Sequence, residues 1–156
     1  MTPSQHEFSE DDTRFMRLAL QEAERAAELD EVPVGAVIVA NGQVIARAHN
    51  LCERLRDFTA HAEMQAFTSA SEYLGGKFLD QCTLYVTLEP CPMCAGAAFW
   101  TRIGRVVYGA RDDKRGHSKF DGELTMLHPK TTCQGGLLAE EAAAMLTAFF
   151  RNKRKT

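Results

Sequence analysis

Four side chains in two short segments have types and spacing suited to chemistry. They are His61 and Glu63 in Thr59-Ala60-His61-Ala62-Glu63, and Cys91 and Cys94 in Glu89-Pro90-Cys91-Pro92-Met93-Cys94. On a helix, Cys91 and Cys94 share one face and can grip a single ion. A helix N-terminus favours the thiolate form that ligates and disfavours a protonated imidazole, which leaves His61 neutral and able to bind metal. Thiolate and imidazole together suit zinc, and three protein ligands leave one tetrahedral position open to water, as in catalytic rather than structural zinc sites. Zinc lowers the pKa of such a water to ~7. Glu63 lies two residues from His61 and cannot share its face, so it is better placed to exchange protons with that water than to ligate.

Plainer readings compete. The Cys-x-x-Cys pair could be a redox pair, although no thioredoxin-like strand context surrounds it. A structural zinc would need a fourth ligand from Cys82, Cys133, His49, His117 or His128, none of which stands at a diagnostic spacing. The four residues could also be core residues brought together by chance. The remaining cysteines, Cys52, Cys82 and Cys133, are expected to be small buried apolar residues in a reducing cytosol.

The elements that must position these residues follow from periodicity. Phe15, Leu18, Ala19, Glu22, Ala23, Ala26 and Ala27 recur at helical spacing, with Asp11 or Asp12 as the expected cap. Val34–Ala40 and Gln43–Ala48 read as two strands joined by Asn41-Gly42, a pair that tolerates positive φ and signals a hairpin. A second helix is expected from Ala60 or His61 to the stop at Gly75-Gly76. Thr83–Thr87 reads as a buried strand, Pro90 as the opening of a helix that runs through Trp100, and Arg105–Ala110 as another strand. Arg111–Lys130 lacks periodicity and reads as a long surface loop with one short helical piece, a kind of loop that often carries function. Leu137–Arg151 closes the chain as an amphipathic helix. One mixed sheet with helices on both faces accommodates this order. Each of the two chemical segments then begins a helix, and the two can meet at one sheet edge.

Composition agrees with one ordinary α/β domain over residues 1–156. The chain is 45% hydrophobic and 25% charged with 11 Gly and 5 Pro, values that exclude disordered, fibrous and disulfide-scaffold classes. No apolar run approaches a bilayer span, and Met1-Thr2-Pro3-Ser4-Gln5-His6 is too polar for a signal-peptide core, so a cytoplasmic protein is expected. A net charge of −3 excludes nonspecific attraction to nucleic acid over the whole surface and leaves room only for a local basic patch.

His61-Ala62-Glu63 with Pro90-Cys91-Pro92-Met93-Cys94 resembles the known signature of zinc-dependent nucleobase deaminases. Across nearly the whole chain, segments such as Glu31–Val37, Leu84–Cys91, Met93–Ala97 and Arg102–Asp112 resemble the bacterial tRNA-specific adenosine deaminases. The resemblance implies a three-layer α/β/α cytidine-deaminase-like sandwich with a mixed five-stranded sheet. It also implies a homodimer, one Zn2+ per subunit, and deamination of adenosine to inosine at the wobble position in a tRNA anticodon loop. A related deaminase of free guanine or cytosine is the alternative, and a zinc-stabilised RNA-binding module without chemistry is a third reading that has no use for Glu63. Residue by residue, His61, Cys91 and Cys94 match the zinc ligands and Glu63 the proton shuttle. Asn50 matches a residue that hydrogen-bonds the target nucleotide, the backbone at Val34, Ala62 and Leu88–Pro90 the base-pocket lining, and Arg111 and Asp112 a loop that meets flanking nucleotides. Arg111, Lys114, Arg115 and the tail from Arg151 to Lys155 are the expected phosphate contacts. Two departures stand out: Asp57-Phe58-Thr59 replaces the usual Asp-Pro-Thr, and the 111–136 segment is short, with His128-Pro129-Lys130-Thr131 in place of a His-Pro-Gly-Met-Asn-His stretch. The first changes a loop near the pocket, and the second lies in a region that meets the RNA, so it bears on tRNA specificity more than on the chemistry.

Overall fold

Asn41 and Gly42 both take positive φ, 52° and 74°, so the chain reverses in two residues between strands β1 (Gly35–Ala40) and β2 (Gln43–His49). In the computed structural model, which describes residues 8–154, this hairpin joins strands β3 (Cys82–Leu88), β4 (Arg105–Ala110) and β5 (Thr132–Gly135) in the order β2-β1-β3-β4-β5. β1 is antiparallel to β2 and β3, while β3, β4 and β5 run parallel. The expectations for Met1–His6 and Lys155 fall outside the described residues. No helix among those described is long and apolar enough to cross a membrane.

Side chains alternate across the central strands, as a sheet buried on both faces requires. Ala36, Ile38, Leu84, Val86 and Val106 pack against helices α3 (Ala62–Leu74) and α4 (Pro92–Thr101) through Ala66, Phe67, Ala95 and Ala98. Val37, Val39, Tyr85 and Val107 turn the other way, onto Phe15, Met16 and Ala19 of helix α1 (Glu10–Glu28). Helix α5 (Ala139–Arg154) lies on that second face, where Ala142 meets Leu20 and Ala110. The result is the three-layer α/β/α sandwich.

Several boundaries differ from the sequence reading. Ser9 caps α1, and Asp12 completes a capping box at the third helical position, because a hydroxyl at the cap reaches the free N–H groups that an acidic residue inside the first turn cannot. α4 starts at Pro92 rather than Pro90, with Cys91 as its N-cap. α5 starts at Ala139, because Leu138 has a φ of 54°. A four-residue helix α2 (Cys52–Leu55) and the edge strand β5 carry no periodic pattern that reveals them. Cys82 is buried as expected, but Cys52 is half-buried and Cys133 is exposed on that edge strand.

Asp12 also ties the layers together. Its carboxylate accepts two bonds from Arg105, at 2.8 and 3.0 Å, and one from the Tyr85 hydroxyl at 2.6 Å. Burial pushes this carboxyl up, but Arg105, Tyr85 and the Ser9 N–H outweigh it and hold the pKa at about 2. A carboxylate depressed in the fold contributes stability that is fully present above its unfolded pKa of ~3.9 and is lost as the pH falls toward 2. Asp12→Asn is therefore expected to lower stability at neutral pH by on the order of 2 kcal/mol. That deficit should shrink below pH 4 in urea titrations. A deficit that stays constant down to pH 2 would mean that Asp12 acts by shape alone.

Candidate active site

β3 and β4 end side by side at Leu88 and Ala110, and the site lies just beyond these carboxyl ends. His61 is the N-cap of α3 and Cys91 the N-cap of α4, both in extended backbone. Helix caps are usually Ser, Thr, Asp or Asn, whose side chains bond the first-turn N–H groups. Neither His61 nor Cys91 makes such a bond, so both side chains are available for another partner. Cys94 follows in the first turn of α4 and Glu63 in the first turn of α3. Two helix N-termini thus converge on one point, a favourable field for thiolates.

The ligand atoms of His61, Cys91 and Cys94 lie within 4.8 Å of one another, the one such group of His, Cys, Asp or Glu among the described residues. His61 Nδ1 stands 3.6 Å from Cys91 Sγ and 3.5 Å from Cys94 Sγ. Bonds of ~2.05 Å to nitrogen and ~2.3 Å to sulfur at a tetrahedral angle place the two donors about 3.6 Å apart. The donor set therefore fits zinc in both chemistry and spacing. Glu63 stands outside the trio.

Hydrogen bonding from the Cys94 thiol, opposed by burial and helped by His61, holds Cys91 at about 4, well below the ordinary thiol range. Cys94, the donor of that bond and itself buried, is pushed far up. The sequence reading expected the helix N-terminus to keep His61 neutral. Instead its bond to Cys91 outweighs burial and pushes the imidazole up. Glu63 is 4% exposed, and burial pushes its carboxyl up from the ordinary carboxylate range.

A cavity of about 460 Å³ opens over these residues. His61, Glu63, Cys91 and Pro92 line it together with Val34, Asn50, Leu88 and Glu89, and Glu31, Val32, Cys52, Glu53, Phe58, Asp112 and Arg115 complete the wall. Of the substrate contacts expected from the sequence, Val34, Asn50 and Asp112 line the cavity, and Ala62, Pro90 and Arg111 do not. Ala62 is fully buried and donates its N–H to Asn50 Oδ1 at 2.8 Å, which fixes the orientation of the Asn50 carboxamide. Pro90 accepts the His117 N–H at 2.9 Å. Arg111 is exposed and pairs with Asp113 at 3.2 Å.

Sequence reasoning missed two buried carboxylates that shape the cavity. Glu31 accepts the N–H groups of Glu53 and Arg54, at 2.9 and 2.7 Å, and so caps α2 from outside the helix. Glu89 holds the loop after β4: one oxygen accepts the Asp112 N–H at 3.1 Å, and the other the Ser118 N–H and hydroxyl at 3.1 and 2.6 Å. The His117 ring packs beside it, with Nε2 3.8 Å from Oε2. Gly116 permits this wrapping, since a Cβ there would stand 2.3 Å from Glu89 Oε1. The clue was a carboxylate two residues before Cys91, but no local pattern names its distant partners.

Residues 9–110 match the family described as the cytidine and deoxycytidylate deaminase zinc-binding region. The tRNA-specific adenosine deaminase of Bacillus subtilis (strain 168) is 48% identical over 150 residues, covering 92% of this chain and 91% of that one. Its counterpart in Aquifex aeolicus (strain VF5) is 46% identical over 144 residues, covering 90% and 94%. A solved structure from studies of A-to-I editing by tRNA:A34 deaminases at the wobble position superposes with a TM-score of 0.80 at 46% identity, covering 86% of this chain and 99% of that one. A guanine deaminase from Nitrosomonas europaea superposes with a TM-score of 0.74 at 26% identity, covering 88% and 83%.

Proposed function

Since the chain belongs to the cytidine and deoxycytidylate deaminase family, we propose that it hydrolytically deaminates adenosine to inosine at the wobble position of a tRNA, acting through residues 1–156 as one deaminase domain. The observation that carries this reading is the 46–48% identity of nearly the whole chain to tRNA-specific adenosine deaminases. His61, Cys91 and Cys94 would hold one zinc ion per chain. Such an ion supplies Lewis acidity, under which water becomes a nucleophile near neutral pH.

This chain's own side chains supply the rest. The base leaves its stack to enter the cavity, and water adds across its C6 position. Glu63 takes a proton from the water and delivers it to N1 as oxygen bonds to C6. It then takes the proton of the new C6 hydroxyl and passes it to the amino group, so that the C6–N bond breaks, ammonia leaves and the C6 carbonyl forms. Asn50, with its Oδ1 held by the Ala62 N–H, offers its amide N–H groups to the nucleotide. Val34 and Leu88 give the base apolar walls. Asp112 and Arg115 reach the nucleotides around it, and Lys114 and the basic end of α5 contact phosphates.

We read the enzyme as a homodimer acting in the cytoplasm, where a tRNA substrate is found. A second copy covering α4 is supported by Trp100, which is 76% exposed and stacks edge-on with Phe99. Ammonia release from an anticodon stem-loop, measured beside release from free guanine and free cytosine, tests the substrate. The stem-loop is expected to be turned over and the free bases left unchanged, whereas turnover of a free base alone would support the alternative and overturn the tRNA reading.

A further inference from the structure

Phe58 is 91% exposed, yet it lines the same cavity as His61, Glu63 and Cys91. A phenyl ring left so bare in water gains nothing for the fold. The loop that presents it is nonetheless tied down at every step. Glu31 holds the N–H groups of α2 at its start, the Leu51 N–H meets the Ala60 carbonyl at 3.0 Å to close its base, and the Asp57 N–H meets the Cys52 carbonyl at 2.9 Å. Within the turn, Asp57 Oδ1 accepts both the Thr59 N–H at 2.8 Å and the Thr59 hydroxyl at 2.7 Å. Three residues later the chain delivers His61 to the metal donor set. The fold therefore holds an uncovered aromatic ring in a defined position at the mouth of the cavity. Arg115 lines the same cavity, and its guanidinium makes no ion pair with a described residue.

An uncovered aromatic ring is a surface on which single-stranded nucleobases stack, because every base has a π-face. A guanidinium on the same cavity wall adds charge for the backbone. The cavity takes the everted adenosine, so the nucleotide joined to it must lie at the mouth. From this placement we infer that Phe58 is a stacking platform for the unpaired base adjoining the everted adenosine, and thereby sets affinity for the RNA. The inference rests on the tRNA reading above.

Phe58→Ala, Phe58→Leu and Phe58→Trp are compared with the wild type on an unaltered stem-loop and on two stem-loops abasic at the 5′ or the 3′ neighbour of the target. Phe58→Ala and Phe58→Leu are expected to raise KM about tenfold or more on the unaltered RNA with kcat little changed, since a stacked neighbour steadies ground and transition states alike. Phe58→Trp should keep the wild-type KM. The wild type should lose a similar factor on one of the abasic RNAs, and Phe58→Ala should lose nothing further on that one. Zinc content and thermal midpoint should stay unchanged in all three variants. An unaltered KM for Phe58→Ala, or losses that multiply, would overturn the inference. A wild-type protein that turns over no stem-loop at all is a separable result, which overturns the tRNA reading and this inference with it.

Discussion

Glu63→Gln is expected to lose deamination by about 10²- to 10⁴-fold, the contribution of a positioned general acid/base, while keeping its zinc, its fold and its affinity for RNA. Glutamine matches glutamate in size, so the buried first turn of α3 need not move. It has no proton to give or take, and the reaction requires four transfers through that position: from water, to N1, from the C6 hydroxyl, and to the departing amine. Glu63 stands outside the donor trio, so zinc content should be that of the wild type. Kinetic assay with metal analysis of the same sample checks both halves. A variant that loses its zinc would show that Glu63 is a ligand and that the division of roles between it and His61 is wrong.

Cys94→Ala is expected to lose zinc and activity together. Cys94 is fully buried in the first turn of α4, with its sulfur 3.5 Å from His61 Nδ1. Removing it leaves two donors, too few to enclose an ion that prefers four-coordinate sites. Zinc affinity should fall by more than the ~10–100-fold that loss of an outer partner costs. Because ion binding stabilises only the folded chain, the thermal midpoint in zinc should fall as well. Cys82→Ala is the control, since Cys82 is equally hidden but lies at the far end of β3. It should keep full zinc content. Stoichiometric zinc in Cys94→Ala would remove Cys94 from the site.

What the sequence disclosed and what it hid divide along physical lines. The hairpin was legible because Asn41-Gly42 encodes its own turn, and α3 because its apolar face and its Gly75 stop are local. The donor trio was legible because two of its members sit three residues apart and the third begins a helix of its own. Strand β5 was not legible: Thr132-Cys133-Gln134-Gly135 has no apolar alternation, and only pairing with β4 makes it a strand. Glu31 and Glu89 were given no role from the sequence, and both are buried because distant backbone N–H groups converge on them. Arg111, which the resemblance assigns to a loop meeting flanking nucleotides, is exposed and pairs with Asp113, while Arg115 takes a place in the cavity wall. Local chemistry is written in short windows, and the shape of the cavity is written in long-range hydrogen bonds.

The proposed reaction converts one adenosine of a tRNA anticodon loop to inosine. Unmodified tRNA carrying adenosine at the wobble position is incubated with the zinc-loaded protein, and the anticodon fragment is isolated and digested to nucleosides. Inosine is expected in place of that single adenosine, with adenosine unchanged elsewhere in the tRNA and no inosine with Glu63→Gln. A tRNA left without inosine by a protein that deaminates free guanine or cytosine would contradict it.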